Sequence, residues 1–124
     1  MIAGEWKTAL IDIDRASEFT GDDVDQYSKL VDLGLPYEQV AILLPALTAA
    51  TITVYTQITA AIDEVPVPVH RYKPDTTGNA VQATTSAAGS IAVVLDIPGM
   101  RYIRLKASVN QAADRSIKVR GVRS

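Results

Sequence analysis

The side chains of this chain that could do chemistry are almost all charged ones. Cysteine is absent and His70 is the single histidine, so the usual nitrogen and sulfur ligands of a transition-metal site cannot be assembled. The sequence also lacks a Gly-x-Ser-x-Gly elbow, a phosphate-binding loop and a Gly-x-Gly-x-x-Gly motif. We therefore expect no enzymatic activity and no cofactor, and we expect His70 to be a surface or interface residue.

Carboxylates at alternate positions can converge on a hard cation such as calcium. Residues 12–14 and 22–25 have this spacing. Neither stretch matches the calcium-binding loop, which also needs a central glycine and a distal glutamate. We expect the first stretch to be the solvated face of a strand and the second, which follows Gly21, to be a turn. No bound metal is expected.

Charge is distributed unevenly along the chain, although the net charge is only −2. Residues 1–64 contain eleven acidic and three basic side chains, whereas residues 99–124 contain seven basic side chains and one acidic one. Such asymmetry is typical of a surface for an acidic partner, or of two ends that face each other within or between subunits. We expect contacts between subunits, made by basic residues on one side and acidic residues on the other: Arg101, Arg104, Lys106, Arg115, Lys118 and Arg120, with Asp12, Asp14, Asp22, Asp23 and Asp25.

The basic end of the chain could also form a nucleic-acid surface. Its side chains lie on two predicted neighbouring strands and could follow a phosphate backbone. The chain is acidic overall, however, and Tyr102 is the aromatic residue close by for base stacking. Pairing with the acidic N-terminal strands is the better interpretation, so we expect no nucleic-acid partner.

The elements that must position these side chains are predicted to be strands. Apolar residues alternate with threonines in 51–56 and with basic residues in 102–107 and 116–121, a period typical of half-buried antiparallel strands. Arg104 and Lys106 are therefore predicted to face solvent. Further strands are expected at 6–13, 29–33, 39–44, 67–72 and 91–95.

Turn-forming residues separate these runs, for example Leu33-Gly34-Leu35-Pro36 and Ile97-Pro98-Gly99. Evenly spaced short strands with turns between them are typical of sandwiches and jelly rolls. The sequence predicts an all-β fold, an antiparallel, jelly-roll-like β-sandwich of about eight strands.

Some segments leave alternatives open. Pro36 could begin a helix that Pro45 would end after two turns, and we prefer a buried strand there. Residues 57–64 could form one or two helical turns between strands. Proline alternates with valine in 65–69, which predicts a sheet edge because proline has no N–H to donate. Residues 75–89, rich in small and polar side chains, predict a long loop or a weak strand.

A chain of 124 residues suits one domain with one core, and we expect residues 1–124 to form it. Residues 1–26 are expected to be a peripheral or partner-contacting segment of that domain. The longest apolar stretch, Val40 to Val54, is interrupted by a proline and threonines and is shorter than the ~20 residues of a membrane span. The first residues lack the pattern of a secretory signal, and we expect no membrane contact.

Several motifs follow one another between residues 27 and 120. They are Val31-Asp32-Leu33-Gly34, then Leu44-Pro45-Ala46-Leu47-Thr48-Ala49-Ala50-Thr51-Ile52, then Gly99-Met100-Arg101-Tyr102-Ile103-Arg104-Leu105, and finally Ala113-Asp114-Arg115. In this order they resemble the motifs of small β-sandwich proteins of tailed-bacteriophage virions.

The resemblance implies a non-enzymatic structural protein of the virion, either a capsid-surface (decoration) protein or a module of the neck or a fibre. Such a protein would act through homo-oligomerisation and attachment to other virion proteins, such as the major capsid protein. Arg104 and the Asp114-Arg115 turn would orient the last two strands or contact a neighbouring subunit.

An alternative from a different class is a glycan-binding β-sandwich module. It would be a monomer with aromatic residues exposed around a pocket. Trp6 and the tyrosines are available for such a site, but a lone tryptophan in an alternating strand is more often part of a core.

Overall fold

A computed structural model describes residues 2–12, 26–46, 51–72, 80–82 and 91–123. The described residues contain nine strands, and all their pairings are antiparallel. The strands are β1 (Ile2–Ala3), β2 (Lys7–Ile11), β3 (Val31–Leu44), β4 (Ile52–Gln57), β5 (Val67–Pro68), β6 (His70–Tyr72), β7 (Ala80–Gln82), β8 (Ile91–Ala107) and β9 (Arg115–Arg123).

Seven of these strands form one sheet in the order β1-β9-β3-β8-β4-β5, with β2 also paired to β9. Strands β6 and β7 form a separate two-stranded sheet. The prediction of an all-β antiparallel fold is confirmed, and the sandwich or jelly-roll arrangement stays a prediction. Among the residues described, no helix has the length and apolar character needed to cross a membrane.

Two long strands, β3 and β8, form the centre of the sheet. They pair along most of their lengths, with register shifts between residues 32 and 39. Gly34 and Gly99 have φ angles of 90° and 76°, which side chains with a Cβ rarely adopt. These glycines let the strands bend without leaving the sheet. The prediction that residues 33–36 and 97–99 are turns separating shorter strands is therefore wrong.

One cluster of buried apolar side chains forms the core. Odd-numbered residues of β3 face the core before the bend and even-numbered residues face it afterwards. The register shift causes this exchange, because it displaces the alternation of the strand by one position. Residues on both sides of the bend belong to the same cluster, so the sheet curves around this cluster. The core residues of β3 are Val31, Leu33, Tyr37, Val40, Ile42 and Leu44, and those of other segments include Ile11, Ile52, Val54, Val69, Ile97, Ile103, Leu105, Ile117 and Val119.

Tyr37 packs against two glycines at the bend of β3. Its side chain is 4% exposed, and a Cβ added at Gly121 of β9 would overlap its ring. A Cβ at Gly4 would lie 2.7 Å from the Tyr37 hydroxyl oxygen. The N–H of Gly4 also donates to the carbonyl of Gly121 at 2.8 Å. The aromatic ring thus requires glycine where it meets β9 and the segment between β1 and β2.

The alternatives left open by the sequence are decided as follows. Residues 36–44 belong to β3, which confirms the preferred strand, and residues 58–66 form an irregular loop with turns and no helix. The predicted strand 67–72 divides into β5 and β6, which lie in different sheets. Within 75–89, the described part is β7, and the rest of that predicted loop lies outside the described residues.

The predicted sheet edge at residues 65–69 is confirmed, because β5 ends the strand order. The N–H of Val69 donates to the carbonyl of Val54 in β4 at 3.0 Å. Because N–H directions alternate along a strand, Pro66 and Pro68 occupy the positions whose N–H would point away from β4. The outer edge therefore offers no N–H from either proline.

Replacing Gly121 with alanine should lower the free energy of unfolding by about 2–3 kcal/mol, since the new methyl group overlaps the Tyr37 ring in a packed core. Urea denaturation followed by circular dichroism measures this loss. The control is the same change in a Tyr37→Leu background, where the methyl group should cost about 1 kcal/mol or less. An equal loss in both backgrounds would show that the ring is not the obstacle.

Candidate interaction surface

Arg104 is fully buried, although it alternates along β8 with residues of the core and points to the other side of the sheet. Its Nε donates to Oε1 of Gln57 at 3.2 Å, its Nη1 to the carbonyl of Ser28 at 3.1 Å, and its Nη2 to the carbonyl of Ile62 at 2.8 Å. The prediction that Arg104 faces solvent is wrong, because residues 57–62 cover this part of β8. A buried guanidinium cannot present its charge to a partner.

Lys106, two residues further along β8, is half-buried between aromatic rings. Its Nζ lies 5.2 Å from the ring centre of Tyr27 and 5.7 Å from that of Tyr55. The two rings meet edge to face with their centres 5.0 Å apart. A cation placed over aromatic faces at a partly exposed site contributes roughly 0.5–1 kcal/mol. The charge of Lys106 is therefore engaged within its own chain.

The loop that covers Arg104 is held by hydrogen bonds of its own. Nε2 of Gln57 donates to the carbonyls of Thr59 and Ala61 at 2.9 and 2.6 Å. The Glu64 carboxylate accepts hydrogen bonds from the N–H of Ile58 at 2.8 Å and from the N–H and hydroxyl of Thr59 at 3.1 and 2.6 Å. The loop therefore has a defined conformation before any partner binds.

This loop displays apolar side chains to solvent. Ile58 is 89% exposed, Ile62 54% and Val65 62%, and Val67 at the start of β5 is 57% exposed. Single exposed apolar residues are ordinary on protein surfaces, but neighbouring ones indicate a contact surface. Ile58, Val65 and Val67 line one groove, and Ile62 belongs to the same loop. We refer to Ile58, Ile62, Val65 and Val67 as the apolar loop surface.

A groove of about 510 Å³ lies beside the apolar loop surface. Ile58, Val65 and Val67 of that surface line it. Pro36 and Met100, from the bends of β3 and β8, line it as well. The groove therefore joins the loop to the bent part of the two central strands.

Arg101, a predicted basic contact residue, also lines the groove and pairs with an acidic residue of its own chain. Its Nε and Nη2 donate to the two carboxylate oxygens of Asp32 at 2.8 and 3.1 Å. The hydrogen bonds from Arg101 are the largest cause that lowers the pKa of Asp32, and the hydrogen bond from the N–H of Gly34 lowers this pKa further. Both side chains are nearly half exposed, so solvent screens the ion pair and it contributes little to the stability of the fold. Its main effect is to fasten one bend to the other.

Two further predicted basic residues make contacts along β9. Lys118 is exposed, and its Nζ donates to the Thr8 hydroxyl of β2 at 2.6 Å. Arg115, at the start of β9, donates from Nε to Oε1 of Gln111 at 3.2 Å. The Lys118 charge therefore stays at the surface, beside a neutral hydroxyl.

Trp6 and Arg120 stack on each other. The Arg120 guanidinium lies 4.9 Å from the centre of the Trp6 ring, and its Nε donates to the carbonyl of Gly4 at 3.1 Å. Trp6 is 43% exposed, so the expectation of a core tryptophan is wrong. The residue precedes β2, where the strand alternation no longer applies.

The predicted acidic contact residues are only partly described. Asp12 follows β2 and is half-buried, with an interaction within the chain. Asp14, Asp22, Asp23 and Asp25 lie outside the described residues. Within the described ranges, the structure groups no set of three or more potential ligands that could hold a metal ion. His70 begins β6, opposite Gln82 of β7.

Sequence reasoning missed the apolar loop surface. The sequence predicts only one or two helical turns between strands at residues 57–64, and no pattern in it assigns a role to Gln57 or Glu64. One signal was present, because two isoleucines stand in a segment that continues neither the strand alternation nor a capped helix. That signal is weak, since an isoleucine in such a segment is equally compatible with the core.

Comparisons with known proteins give little similarity. No protein-family model and no curated protein matches the chain. Among solved structures, the fold is similar to the crystal structure of the SPBc2 prophage-derived protein YomS, with a TM-score of 0.47 and 10% sequence identity. The match covers 98% of this chain and 97% of that one. A similarity at this level does not show a shared function.

Replacing Arg104 with methionine should lower the free energy of unfolding by about 2–4 kcal/mol, since buried acceptors on Ser28, Gln57 and Ile62 lose their donor. Urea denaturation measures the loss. Lys106→Met is the matched control, and it should cost about 1 kcal/mol or less because the lysine is partly exposed. Similar losses in the two variants would contradict the structural role of the guanidinium.

The hydrogen bonds from Thr59 and Ile58 lower the pKa of Glu64, the Thr59 hydroxyl being the largest cause. A carboxyl whose pKa is lowered in the folded state stabilises it above the unfolded pKa and ceases to do so as the pH falls through the lowered value. The protection of the Ile58 and Thr59 amides from hydrogen exchange, relative to their intrinsic rates, should therefore decrease in that acidic range.

The Glu64→Gln variant should lose this protection already at neutral pH. Asp63→Asn is the control, because Asp63 is exposed and belongs to the same turn without accepting these hydrogen bonds. Full protection in Glu64→Gln at neutral pH would show that the carboxylate does not hold the loop.

Proposed function

We propose that this chain is a non-enzymatic structural protein of a bacteriophage virion, a capsid-surface, neck or fibre module that attaches to other virion proteins and to copies of itself. The observation that carries this proposal is the apolar loop surface, which displays aliphatic side chains on a loop held by internal hydrogen bonds. The phage setting is supported by the motifs at residues 31–34, 44–52, 99–105 and 113–115, which resemble those of virion β-sandwich proteins.

Attachment through this surface would remove apolar side chains from water. Ile58 is 89% exposed, and full burial of an isoleucine side chain contributes about 1.5–3 kcal/mol. Because Gln57, Glu64 and Arg104 already hold the loop, binding requires little additional ordering of the chain. These properties suit a module whose task is a lasting contact.

The neighbouring sheet edge favours contacts through side chains over contacts through the backbone. Pro66 and Pro68 supply no N–H at the outer edge of β5, and an edge without donors disfavours strand addition by another chain. A partner that approaches this edge meets the side chains of Val65 and Val67, which are 62% and 57% exposed.

Glycan binding, the alternative, has less support from the aromatic residues that the structure describes. Arg120 lies over the exposed Trp6 ring, and Tyr37 is buried in the core. Tyr102 lines the groove but is half-buried. Saturable sugar binding by a monomer would favour this alternative over a structural role.

Mass spectrometry of purified particles from the genome that encodes the chain tests the proposal. We expect the wild-type chain at a constant number of copies per particle. An Ile58→Asp variant should fold normally, since the side chain is in solvent, and its copy number should fall about tenfold or more, because a charge replaces an apolar contact.

Val109→Asp is the matched control, because Val109 is 40% exposed between β8 and β9, away from the apolar loop surface. This variant should be incorporated normally. Absence of the wild-type chain from particles would overturn the proposed function, and equal incorporation of both variants would overturn the role of the loop.

A further inference from the structure

We propose that the apolar loop surface binds a second copy of this chain, on the outer face of the sheet around β3 and β9. This inference rests on the proposed function and names the partner of its surface. The receiving face consists of Leu43, Val94, Lys118 and Arg120, and we refer to it as the basic sheet face.

Strand register places the members of the basic sheet face side by side. Leu43 lies opposite Lys118, while Arg120 and Val94 lie opposite Ala41 on its two sides. The next residues along β3 and β9 point into the core, and Val93 and Leu95 beside Val94 on β8 pack against it, so these four face outward. Val94 is 57% exposed and Leu43 45%. Asp96, two residues further along β8, lies on the same side and accepts a hydrogen bond from Nε2 of Gln39 at 3.1 Å. The face is therefore apolar and carries two positive charges against one negative charge.

The apolar loop surface has the complementary composition. Its aliphatic side chains flank Asp63, which is exposed, and Glu64, whose carboxylate carries a second negative charge. On the basic sheet face, Lys118 contacts a neutral hydroxyl and Arg120 contacts a ring and a carbonyl. Contact between the two surfaces would bury aliphatic side chains while placing opposite charges together, which favours specificity and fast association.

The two surfaces lie toward opposite ends of the strand order. The loop joins β4 to β5 at one end, whereas the basic sheet face includes β9 and adjoins β1 and β2 at the other. When a copy uses its loop on one neighbour and its sheet face on another, the contact is heterologous, and its repetition gives a closed ring or an open chain of copies. Each copy would therefore contribute one surface to each of two neighbours.

Light scattering on a sizing column, across a range of protein concentrations and at low and high salt, tests the contact. We expect wild-type protein to self-associate and to do so less at high salt. Asp63→Lys and Lys118→Glu should each raise the apparent dissociation constant about tenfold, and their combination in one chain should restore it to within about threefold of wild type.

Glu38→Lys and Lys29→Glu are the matched controls, because they make the same charge changes at residues of neither surface, and both should associate as wild type does. A monomer at every concentration would overturn the second copy as partner, and so would association that neither test variant weakens. Either result leaves the proposed attachment to other virion proteins standing if particles incorporate the wild-type chain and reject Ile58→Asp. Self-association of a chain absent from particles would overturn the proposed function alone.

Discussion

A buried guanidinium holds two of the described segments that lie beside the central strands against β8. A cation removed from water destabilises the fold by several kcal/mol unless its donors are satisfied. Arg104 finds its acceptors on Ser28, Gln57 and Ile62, which belong to two segments far apart in the sequence. The segment at Ser28 and the loop after β4 are therefore held against β8 by one side chain, and the surface that the loop displays depends on the same contact.

The second constraint is the bend in the two central strands. Gly34 and Gly99 permit it, the Asp32–Arg101 pair fastens one bend to the other, and Tyr37 fills the space at Gly121. Pro36 and Met100 then face the groove from these bends. The same two bends shape the wall of the groove and place Tyr37 in the core. The surface and the core are therefore not independent parts of the molecule.

Alternation in the sequence predicted the strands at 51–56, 102–107 and 116–121, because a period of two is a local property that survives folding. The bends were predicted as turns, since a glycine with positive φ suits a turn and a continuing bulged strand equally well. Arg104 was predicted in solvent because it alternates with Ile103 and Leu105. Its cover comes from a loop distant in sequence, and local patterns do not contain that information, which is also why the apolar loop surface was missed.

The continuity of β3 and β8 through the bend has a mechanical consequence. Each strand runs through both sides of the bend, and residues on both sides belong to one core cluster, so the domain should open as one cooperative unit. A pull applied through the loop at Ile62 reaches β8 through Arg104. From there it is shared by the ladders that β8 forms with β3 and β4. A domain built in this way resists such a pull as a whole.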